Sequence, residues 1–255
     1  MAIDGTFRTR LLAGEFLTGF WLNTGSPITA EMAGLAGFDW VLLDHEHGPG
    51  GEETLLHQLQ AVSATPATCL VRIAANEAPR FKRVLDAGAH GVMVPYVSTA
   101  ADARAVVHAM RYPPRGMRGV AKLTRASSFG ARFDEYFAHA HEWLVTLTQI
   151  ETTDALDNAA EIAAVDGVDV LFVGPMDLTT SMGIPGQYND ARFHDALGEV
   201  ADAAKSAGKA AGILLLDPAN LPLCRELGYT VVALGSDGGS VQAGLKQSLA
   251  TLRAH

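Results

Sequence analysis

The sequence predicts an α/β protein of the (β/α)8 TIM-barrel class, and two observations support this prediction. Eight short apolar runs of strand length recur along the chain, and longer amphipathic stretches separate most of them. The runs are mostly apolar throughout, as in strands that are buried on both faces of a sheet. Strands that alternate with helices favour parallel pairing with right-handed crossovers. Because 255 residues suit eight such units, we expect a single domain spanning residues 1–255.

The predicted elements follow one another along the whole chain. The predicted strands are 17–22, 38–43, 68–73, 91–95, 144–150, 168–173, 211–216 and 230–234. The clearest predicted helices are 52–63, 78–87, 100–110, 155–164, 191–207 and 218–227. Between them lies one long irregular segment, 111–126, which we expect to be functional or a contact surface. A doubly wound open sheet is the main alternative, but no G-x-G-x-x-G sequence opens the first helix.

Composition and charge exclude several classes of protein. With 19 Lys and Arg against 28 Asp and Glu, the formal net charge of −9 argues against a nucleic-acid partner that needs a broad basic face. The apolar runs are too short to span a bilayer, and the amino terminus lacks the pattern of a signal peptide. Cys69 and Cys224 have no CxxC partner, so we expect two buried, reduced thiols. We therefore predict a cytoplasmic protein without a membrane partner.

Polar residues follow or end four of the predicted strands. In a parallel barrel, the carboxyl ends of all strands open into one mouth, where active sites lie. Taken singly, a carboxylate there could be a helix cap, as for Asp177, an arginine could be an ion-pair partner, and His45 could be a solvated loop residue. Helix capping could explain the carboxylates, but it would not explain the histidine, the arginine and the glutamine that accompany them. The residues are Asp44, His45, Glu46, His47, Arg72, Gln149, Glu151 and Asp177.

These residue types suit one kind of chemistry. Glu151 and Asp177 offer hard oxygen ligands, which favour Mg²⁺ or Mn²⁺ over a zinc cage. Arg72 offers a donor fork for an oxyanion or carboxylate, and His47 can exchange protons near neutral pH. A metal, an arginine and a base together can stabilise an enolate and cleave or form the adjacent carbon–carbon bond. A small 2-oxo acid fits this set better than a nucleotide, because no phosphate-binding glycine motif accompanies it.

Five ordered motifs resemble the HpcH/HpaI family of metal-dependent, class II pyruvate aldolases. The resemblance runs from about residue 19 to residue 235, which is nearly the whole chain. The motifs are FDWVLLDHEHGP at 38–49, LDAGAHGVMVP at 85–95, RYPPRGMRG at 111–119, QIET at 149–152 and VGPMDL at 173–178. Together they are far more specific than any one of them alone.

The resemblance implies roles for individual residues. Glu151 and Asp177 match the metal ligands, for a divalent ion such as Mg²⁺, Mn²⁺ or Co²⁺. Arg72 matches the residue that stabilises the enolate, and His47 matches the general base. The other matches are Gln149 as a substrate contact, the Met176 backbone as the carboxylate-binding amide, Asp86 as the acid that raises the basicity of the histidine, and Asp44 as its partner.

Asp86 precedes the fourth strand, so it should lie at the end of its own barrel that is opposite the mouth. Either the chain returns to the mouth, or a neighbouring subunit supplies this residue. The family resemblance implies a homohexamer built as a trimer of dimers with swapped carboxy-terminal helices. The segment 241–252 has the length of such a helix, although it could also close its own barrel.

We therefore predict reversible cleavage of a 4-hydroxy-2-oxo acid to pyruvate and an aldehyde. Departures from the family pattern at His45, His90, Met176 and Thr179 remove no ligand or base, but they leave the aldehyde open. No predicted strand carries a lysine for Schiff-base chemistry, and Lys122 lies in the irregular segment.

Two other functions remain open. A CoA-thioester lyase of the same superfamily would need a basic groove, for which Arg111, Arg115 and Arg118 are the local candidates. A catalytically silent barrel that binds a small acid would be expected to lack a metal ligand or the base.

Overall fold

Eight parallel strands pair in chain order, and the last strand pairs with the first to close a barrel. This computed structural model describes residues 3–254. The predicted TIM barrel is therefore confirmed, and each predicted strand is present within two residues of its expected ends. The strands are β1 (Leu17–Leu22), β2 (Trp40–Asp44), β3 (Thr68–Arg72), β4 (Gly91–Val94), β5 (Val145–Ile150), β6 (Val170–Val173), β7 (Ala210–Leu215) and β8 (Tyr229–Ser236).

Helices surround the barrel, and their bounds differ from the prediction in a few places. The predicted helix 155–164 is two short helices that meet at Asn158, and the predicted helix 218–227 begins with one 3-10 turn. The helices are α1 (Thr6–Leu12), α2 (Pro27–Leu35), α3 (Glu52–Val62), α4 (Ala78–Ala87), α5 (Ala100–Met110), α6 (Phe133–Trp143), α7 (Thr153–Asp157), α8 (Ala159–Ala163), α9 (Pro175–Ser181), α10 (Ala191–Ser206), α11 (Leu221–Leu227) and α12 (Asp237–Arg253). The segment 111–126 is largely irregular, as expected.

Large side chains fill the interior of the barrel. The fully buried indole of Trp40 packs edge-on against Phe172, with ring centroids 6.2 Å apart, and its Nε1 donates a hydrogen bond to the Leu17 carbonyl at 3.2 Å. A Cβ atom on Gly19 would lie 2.2 Å from the Trp40 ring, so only glycine fits at that position of β1. The interior is a packed core, and it forms a solid floor beneath the mouth.

The start of α12 is tied to β1 and α2 through one buried carboxylate. Asp237 accepts hydrogen bonds from the Asn23 amide at 2.8 Å and from the Thr29 hydroxyl at 2.6 Å, and also from the Thr24 hydroxyl. Beyond this point, four large apolar side chains of α12 have exposed fractions between 48% and 78%. They are Val241, Leu245, Leu249 and Leu252.

Both cysteines are buried and free, as predicted. Burial raises the pKa of Cys69 to about 12 and that of Cys224 to about 11, so neither thiol is a reactive thiolate near neutral pH. Among residues 3–254, no helix is both long enough and apolar enough to cross a membrane.

Candidate active site

Asp44 and Arg72 form a buried pair at the carboxyl ends of two neighbouring strands. The register of β2 and β3 places these residues side by side. The Arg72 Nε and Nη2 atoms donate to the two Asp44 carboxylate oxygens at 3.0 and 2.6 Å. The Trp21 indole donates to the same carboxylate at 3.2 Å, and its ring lies 5.0 Å from the guanidinium carbon. The arginine is therefore held rigidly, with its remaining nitrogen directed toward the loop that follows β2.

That loop brings a second carboxylate and a histidine to the mouth. The Glu46 and His47 amides donate to Asp44 at 3.1 and 3.2 Å, so the buried aspartate also orders the loop. Burial disfavours an ionised Asp44, but the hydrogen bonds and charge of Arg72, with these two amides, outweigh it and lower the pKa of Asp44.

Glu46 makes an ion pair with the same arginine, but this contact does not satisfy the hydrogen-bonding capacity of its carboxylate. Its Oε2 atom lies 2.8 Å from Arg72 Nη1 and 3.9 Å from His47 Nε2, yet no hydrogen bond of good geometry reaches that buried oxygen. Burial raises the pKa of Glu46, and the nearby charges of Asp44 and Asp177 add to the rise, while Arg72 and His47 oppose it. The imidazole of His47 is 68% exposed and stands at the rim of the mouth.

Glu151 is a buried carboxylate just after β5, and no cation within residues 3–254 forms an ion pair with it, although the charge of Arg72 acts on it from a distance. The Tyr96 amide, just after β4, donates to Glu151 Oε1 at 2.6 Å. Burial is the main cause that raises the pKa of Glu151 to about 7, and the charges of Glu46 and Asp177 raise it further. A Cβ atom on Gly174 would lie 2.9 Å from Glu151 Oε2 and 3.4 Å from Gln149 Nε2, so the glycine lets the backbone after β6 approach both side chains.

Asp177 lies in the first turn of α9, which the predicted GPMD turn does open. Its carboxylate does not cap that helix, since α9 has no side-chain cap. Thr152, which follows Glu151, caps α7 through the Ala155 amide, so Glu151 is not needed as a cap either. The simple alternative of helix caps therefore fails for both predicted metal ligands.

The mouth carries an excess of negative charge. Asp44, Glu46, Glu151 and Asp177 bring four carboxylates, against the single guanidinium of Arg72, and two of them have a raised pKa. The buried Gln149 Oε1 has no hydrogen-bond partner in the part of the chain that the structure describes. Among residues 3–254, no group of three or more His, Cys, Asp or Glu side chains is arranged to hold a metal ion. Two carboxylates that leave positions for substrate and water are the usual arrangement for Mg²⁺.

Comparisons with known proteins agree with this geometry. The model of the HpcH/HpaI aldolase/citrate lyase family matches residues 17–243. The chain belongs to this family. It is 43% identical to a hydroxypyruvate/pyruvate aldolase of Cupriavidus necator, over 93% of this chain and 88% of that protein. It is 39% identical to a 5-keto-4-deoxy-D-glucarate aldolase of Salmonella arizonae, over 97% and 96% of the two chains.

A solved structure of an HpcH/HpaI aldolase/citrate lyase family protein from Burkholderia cenocepacia J2315 has the same fold. The TM-score is 0.93 at 37% identity, and the match covers 98% of this chain and 100% of the other. The resemblance first drawn from five motifs is thus confirmed over nearly the full length of both chains.

Most of the predicted HpcH/HpaI site residues lie at the mouth. Asp44, Arg72 and His47 are joined through the β2 loop, while Gln149, Glu151 and Asp177 come together around Gly174. Met176 is the second residue of α9, next to Asp177, and its sulfur lies 3.7 Å from the Tyr188 hydroxyl. The roles of these residues stay predictions.

Asp86 lies elsewhere in this chain. It is near the end of α4, which leads into the amino end of β4, and it accepts a hydrogen bond from the buried Arg118 at 2.7 Å. Within residues 3–254, no hydrogen bond or ion pair joins Asp86 to His47. The sequence left two possibilities open for Asp86. The first is excluded, because the chain does not return Asp86 to the mouth of its own barrel.

His45 is half-buried, so the expectation of a solvated loop residue is wrong. Its Nε2 atom lies 3.4 Å from the buried Gln58 Oε1, and burial lowers its pKa. The carboxyl end of β2 turns this ring away from solvent and against α3.

The three arginines suggested for a CoA groove are engaged in other contacts. Arg111 pairs with Asp166 at 2.9 Å, and Arg115 lies 3.2 Å from the His141 ring. Arg118 is fully buried with Asp86. No basic groove at the mouth is formed by these three side chains, which removes the feature on which the thioester alternative depended.

Three residues at the mouth were not given a role from the sequence. Glu46 belongs to the dense ionisable cluster after β2, and its position between His45 and His47 could have indicated a role at the mouth. Trp21 is one apolar residue in an apolar strand, and the contribution of Tyr96 is made by its backbone amide. Neither contribution can be recognised from the sequence pattern.

Proposed function

We propose that this chain catalyses the reversible aldol cleavage of a 4-hydroxy-2-oxo acid to pyruvate and an aldehyde. The observation that carries the proposal is the set of buried carboxylates around a fixed arginine at the mouth of the barrel. Relatives named as aldolases, at 39–43% identity over most of the chain, support the same reaction. The class II aldolases of this family depend on divalent metal ions in general.

Glu151 and Asp177 would hold a divalent ion, Mg²⁺, Mn²⁺ or Co²⁺. When bound, the cation supplies the positive charge that polarises the 2-oxo group and lowers the energy of the enolate. The pKa of about 7 for Glu151 is consistent with a carboxylate whose burial is compensated only when a cation is present.

The remaining residues bind and orient the substrate. Arg72 is fixed by Asp44 and Trp21, and its Nη1 atom lies beside Glu46 at the mouth, where the guanidinium would stabilise negative charge that develops on the substrate oxygen. The amide of Gln149 contacts the 2-oxo acid, and the backbone N–H at Met176 would bind its carboxylate. The packed floor formed by Trp40 and Phe172 keeps water from reaching the site through the barrel.

His47 is the proposed base for the substrate 4-hydroxyl. In the cleavage direction its imidazole takes that proton while the carbon–carbon bond breaks, and the electron pair of the bond passes to the pyruvate enolate, which then takes a proton from water at its methylene carbon. In the reverse direction the pyruvate methyl loses a proton, the enolate attacks the aldehyde carbon, and His47 returns its proton to the aldehyde oxygen. The exposed position of the ring at the rim lets it reach the distal half of a substrate whose 2-oxo acid end lies on the floor.

The first test is pyruvate release coupled to lactate dehydrogenase, with and without EDTA. We expect cleavage to stop with chelator and to return when Mg²⁺, Mn²⁺ or Co²⁺ is added in excess. Cleavage that is unaffected by chelation would contradict the proposed chemistry. A panel of acceptor aldehydes offered with pyruvate then identifies the second product.

The second test separates the base from the enolate-forming groups. We expect His47→Ala to lose most of its cleavage activity but to retain exchange of the pyruvate methyl protons, which requires no 4-hydroxyl. His57→Ala is the matched control, because His57 is exposed on the outer helix α3. Unchanged cleavage kinetics in His47→Ala would refute its assignment as the base.

We also propose that the protein assembles as a homohexamer in the cytoplasm, with α12 exchanged between the two subunits of each dimer. The four exposed apolar residues of α12 support a partner there, as do Ile28, Met32 and Leu35, which are about two-thirds exposed on α2. Light scattering after gel filtration should show a hexamer for the wild type and smaller species for Leu245→Glu. A wild-type monomer would overturn the assembly.

A hexamer would allow Asp86 of one subunit to reach the mouth of another. Mixing two inactive variants, Asp86→Ala and His47→Ala, tests this route. Hybrid oligomers should recover activity if the two residues of one functional site come from different subunits. No recovery in confirmed hybrids would place Asp86 in a structural role with Arg118.

A further inference from the structure

Trp21 connects the packed interior of the barrel to the candidate active site. Its side chain, on β1, is 4% exposed and lies among the buried apolar residues inside the barrel. Its ring packs against Phe172, with ring centroids 5.9 Å apart, while its Nε1 atom donates to Asp44 Oδ2 at 3.2 Å. A buried indole N–H normally has a hydrogen-bond acceptor, and here the acceptor is a carboxylate of the mouth.

The two carboxylate oxygens of Asp44 have different partners. Oδ2 accepts from Trp21 Nε1 and from Arg72 Nη2, whereas Oδ1 accepts from Arg72 Nε and from the amides of Glu46 and His47. Side chains of three neighbouring strands, β1, β2 and β3, therefore meet at one carboxylate. Because the indole N–H limits the rotation of this carboxylate, it also fixes the tilt of the guanidinium that the carboxylate holds in a two-pronged contact.

The indole also acts on Arg72 directly. Its ring centroid lies 5.0 Å from the guanidinium carbon, a distance at which a cation is attracted to an aromatic ring. The position of Trp21 coincides with an irregularity in the sheet, since the pairing of β1 with β8 changes register between Gly19 and Trp21, which pairs with Ser236. Such bulges are common beside active sites, where they redirect a side chain.

We propose that Trp21 is a positioning residue for the enolate step. It acts through Asp44 and Arg72 and does not need to contact the substrate. When the guanidinium is aligned in advance, it stabilises the charge that develops on the enolate oxygen, and a tilted guanidinium stabilises that charge less. This inference rests on the proposed aldolase function, and it adds a residue from β1, a strand in which the sequence predicted no site residue.

The test is Trp21→Phe, which removes the indole N–H and keeps an aromatic ring. We expect kcat for cleavage and the rate of pyruvate methyl-proton exchange to fall together by about tenfold, as for a lost hydrogen bond to a charged group. KM should change less than kcat, because the alignment matters most when charge develops. Thermal melting establishes that the variant is folded.

Trp40→Phe is the matched control. Trp40 is also buried, also packs against Phe172 and also donates from Nε1 at 3.2 Å, but its acceptor is the Leu17 carbonyl. Its replacement should lower the melting temperature, while exchange and cleavage stay close to those of the wild type. A role that is only structural would give the two variants the same kinetic losses.

A double variant tests whether Trp21 acts through Arg72. In an Arg72→Lys background, Trp21→Phe should cause little further loss of exchange, because the aligned guanidinium is already absent. Indole NMR gives a readout without turnover. The Trp21 N–H signal, identified by elimination with Trp40→Phe and Trp143→Phe, should shift in Arg72→Lys, whereas the Trp40 signal should not.

The positioning role would be overturned by wild-type kinetics in Trp21→Phe, by equal kinetic losses in Trp40→Phe, or by the same further loss of exchange in the Arg72→Lys background. An unchanged Trp21 signal in Arg72→Lys would also overturn it. A wild type that shows neither exchange nor cleavage would instead overturn the proposed function. The wild-type protein alone therefore distinguishes the two failures.

Discussion

Two arginines are buried at opposite ends of this barrel, and they use similar contacts for different purposes. Arg72 at the mouth and Arg118 at the amino end each donate to an aspartate at 2.6–2.7 Å, and each has an aromatic ring within 5.0 Å of its guanidinium carbon. Arg118 lies between Tyr112 and Tyr136, and its side chain is entirely inaccessible. Arg72 faces a second carboxylate and an opening.

The difference shows what makes a buried ion pair a candidate for catalysis. At the amino end, Arg118 contacts one aspartate and two aromatic rings, so its charge is balanced by one opposite charge and its guanidinium is enclosed. At the mouth, Arg72 meets Asp44 and Glu46, and two further carboxylates add negative charge that it does not balance. Excess charge at an accessible position indicates a place for a ligand, whereas matched charge in an enclosed position indicates stability.

Replacing Arg72 should have the largest effect. Arg72→Lys retains the charge but loses the two-pronged contact with Asp44 and the alignment over Trp21. We expect pyruvate release and methyl exchange to fall at least about 100-fold, because both require the stabilised enolate. Thermal melting should show a folded protein. A variant with activity close to that of the wild type would contradict the role of this arginine.

Replacing Arg118 should mainly affect stability. Arg118→Met leaves Asp86 without its buried partner and removes the cation between the two tyrosines. We expect a loss of about 2–3 kcal/mol in the free energy of unfolding, below the range for fully buried pairs because Asp86 is partly exposed. Urea denaturation measures this change. A loss near zero would mean that the enclosed pair does not stabilise the amino end.

His90 gives the amino end a dependence on pH. Burial lowers its pKa from 6.5 to about 4, despite the opposing charge of Asp4, so the folded protein keeps the ring neutral while the unfolded chain protonates it below pH 6.5. Stability is therefore complete above pH 6.5 and decreases as the pH falls toward 4. At pH 5 the loss attributable to His90 is about 2 kcal/mol.

The variant His90→Gln isolates this contribution, because glutamine does not titrate. The free energy of unfolding should fall less between pH 7 and pH 5 in His90→Gln than in the wild type. Parallel curves for the two proteins would show that the histidine is not responsible. Arg10 and Asp39, which line the same cavity of about 290 Å³, keep their ion pair in both proteins.

The smallest effect is expected for an exposed pair near the same end. Arg111 contacts Asp166 at 2.9 Å, but the aspartate is 91% exposed. Arg111→Met should lower the free energy of unfolding by less than about 1 kcal/mol, since solvent screens such pairs. A loss as large as that of Arg118→Met would mean that burial does not explain the difference between the two arginines.

The strands of the fold were predictable because most of them are buried on both faces and read as continuous apolar runs, although β1 and β8 include partly exposed residues. The helix α2 was missed for a physical reason. It buries the small residues Ala30, Ala33 and Gly34 and exposes Ile28 and Met32, so apolar periodicity does not mark its inner face.

The location of the site was predictable because the carboxyl ends of all strands in a parallel barrel meet at one mouth, which places Arg72 and Glu151 together there. The partner of Asp86 could not be predicted in this way. Arg118 lies 32 residues away in an irregular segment, where no periodic pattern indicates the direction of a side chain. Backbone donors such as the Tyr96 amide are equally invisible, because every residue except proline carries one.

The packed interior also constrains the order of events. Trp40, pressed against Gly19 and Phe172, leaves the barrel filled below the mouth, so molecules enter and leave on one side. In the proposed reaction, a 2-oxo acid bound on the floor would be covered by the aldehyde above it. The aldehyde would then leave before pyruvate in cleavage, and pyruvate would bind first in synthesis. In that proposal, an indole that contacts neither substrate would set the order in which the two substrates bind and leave.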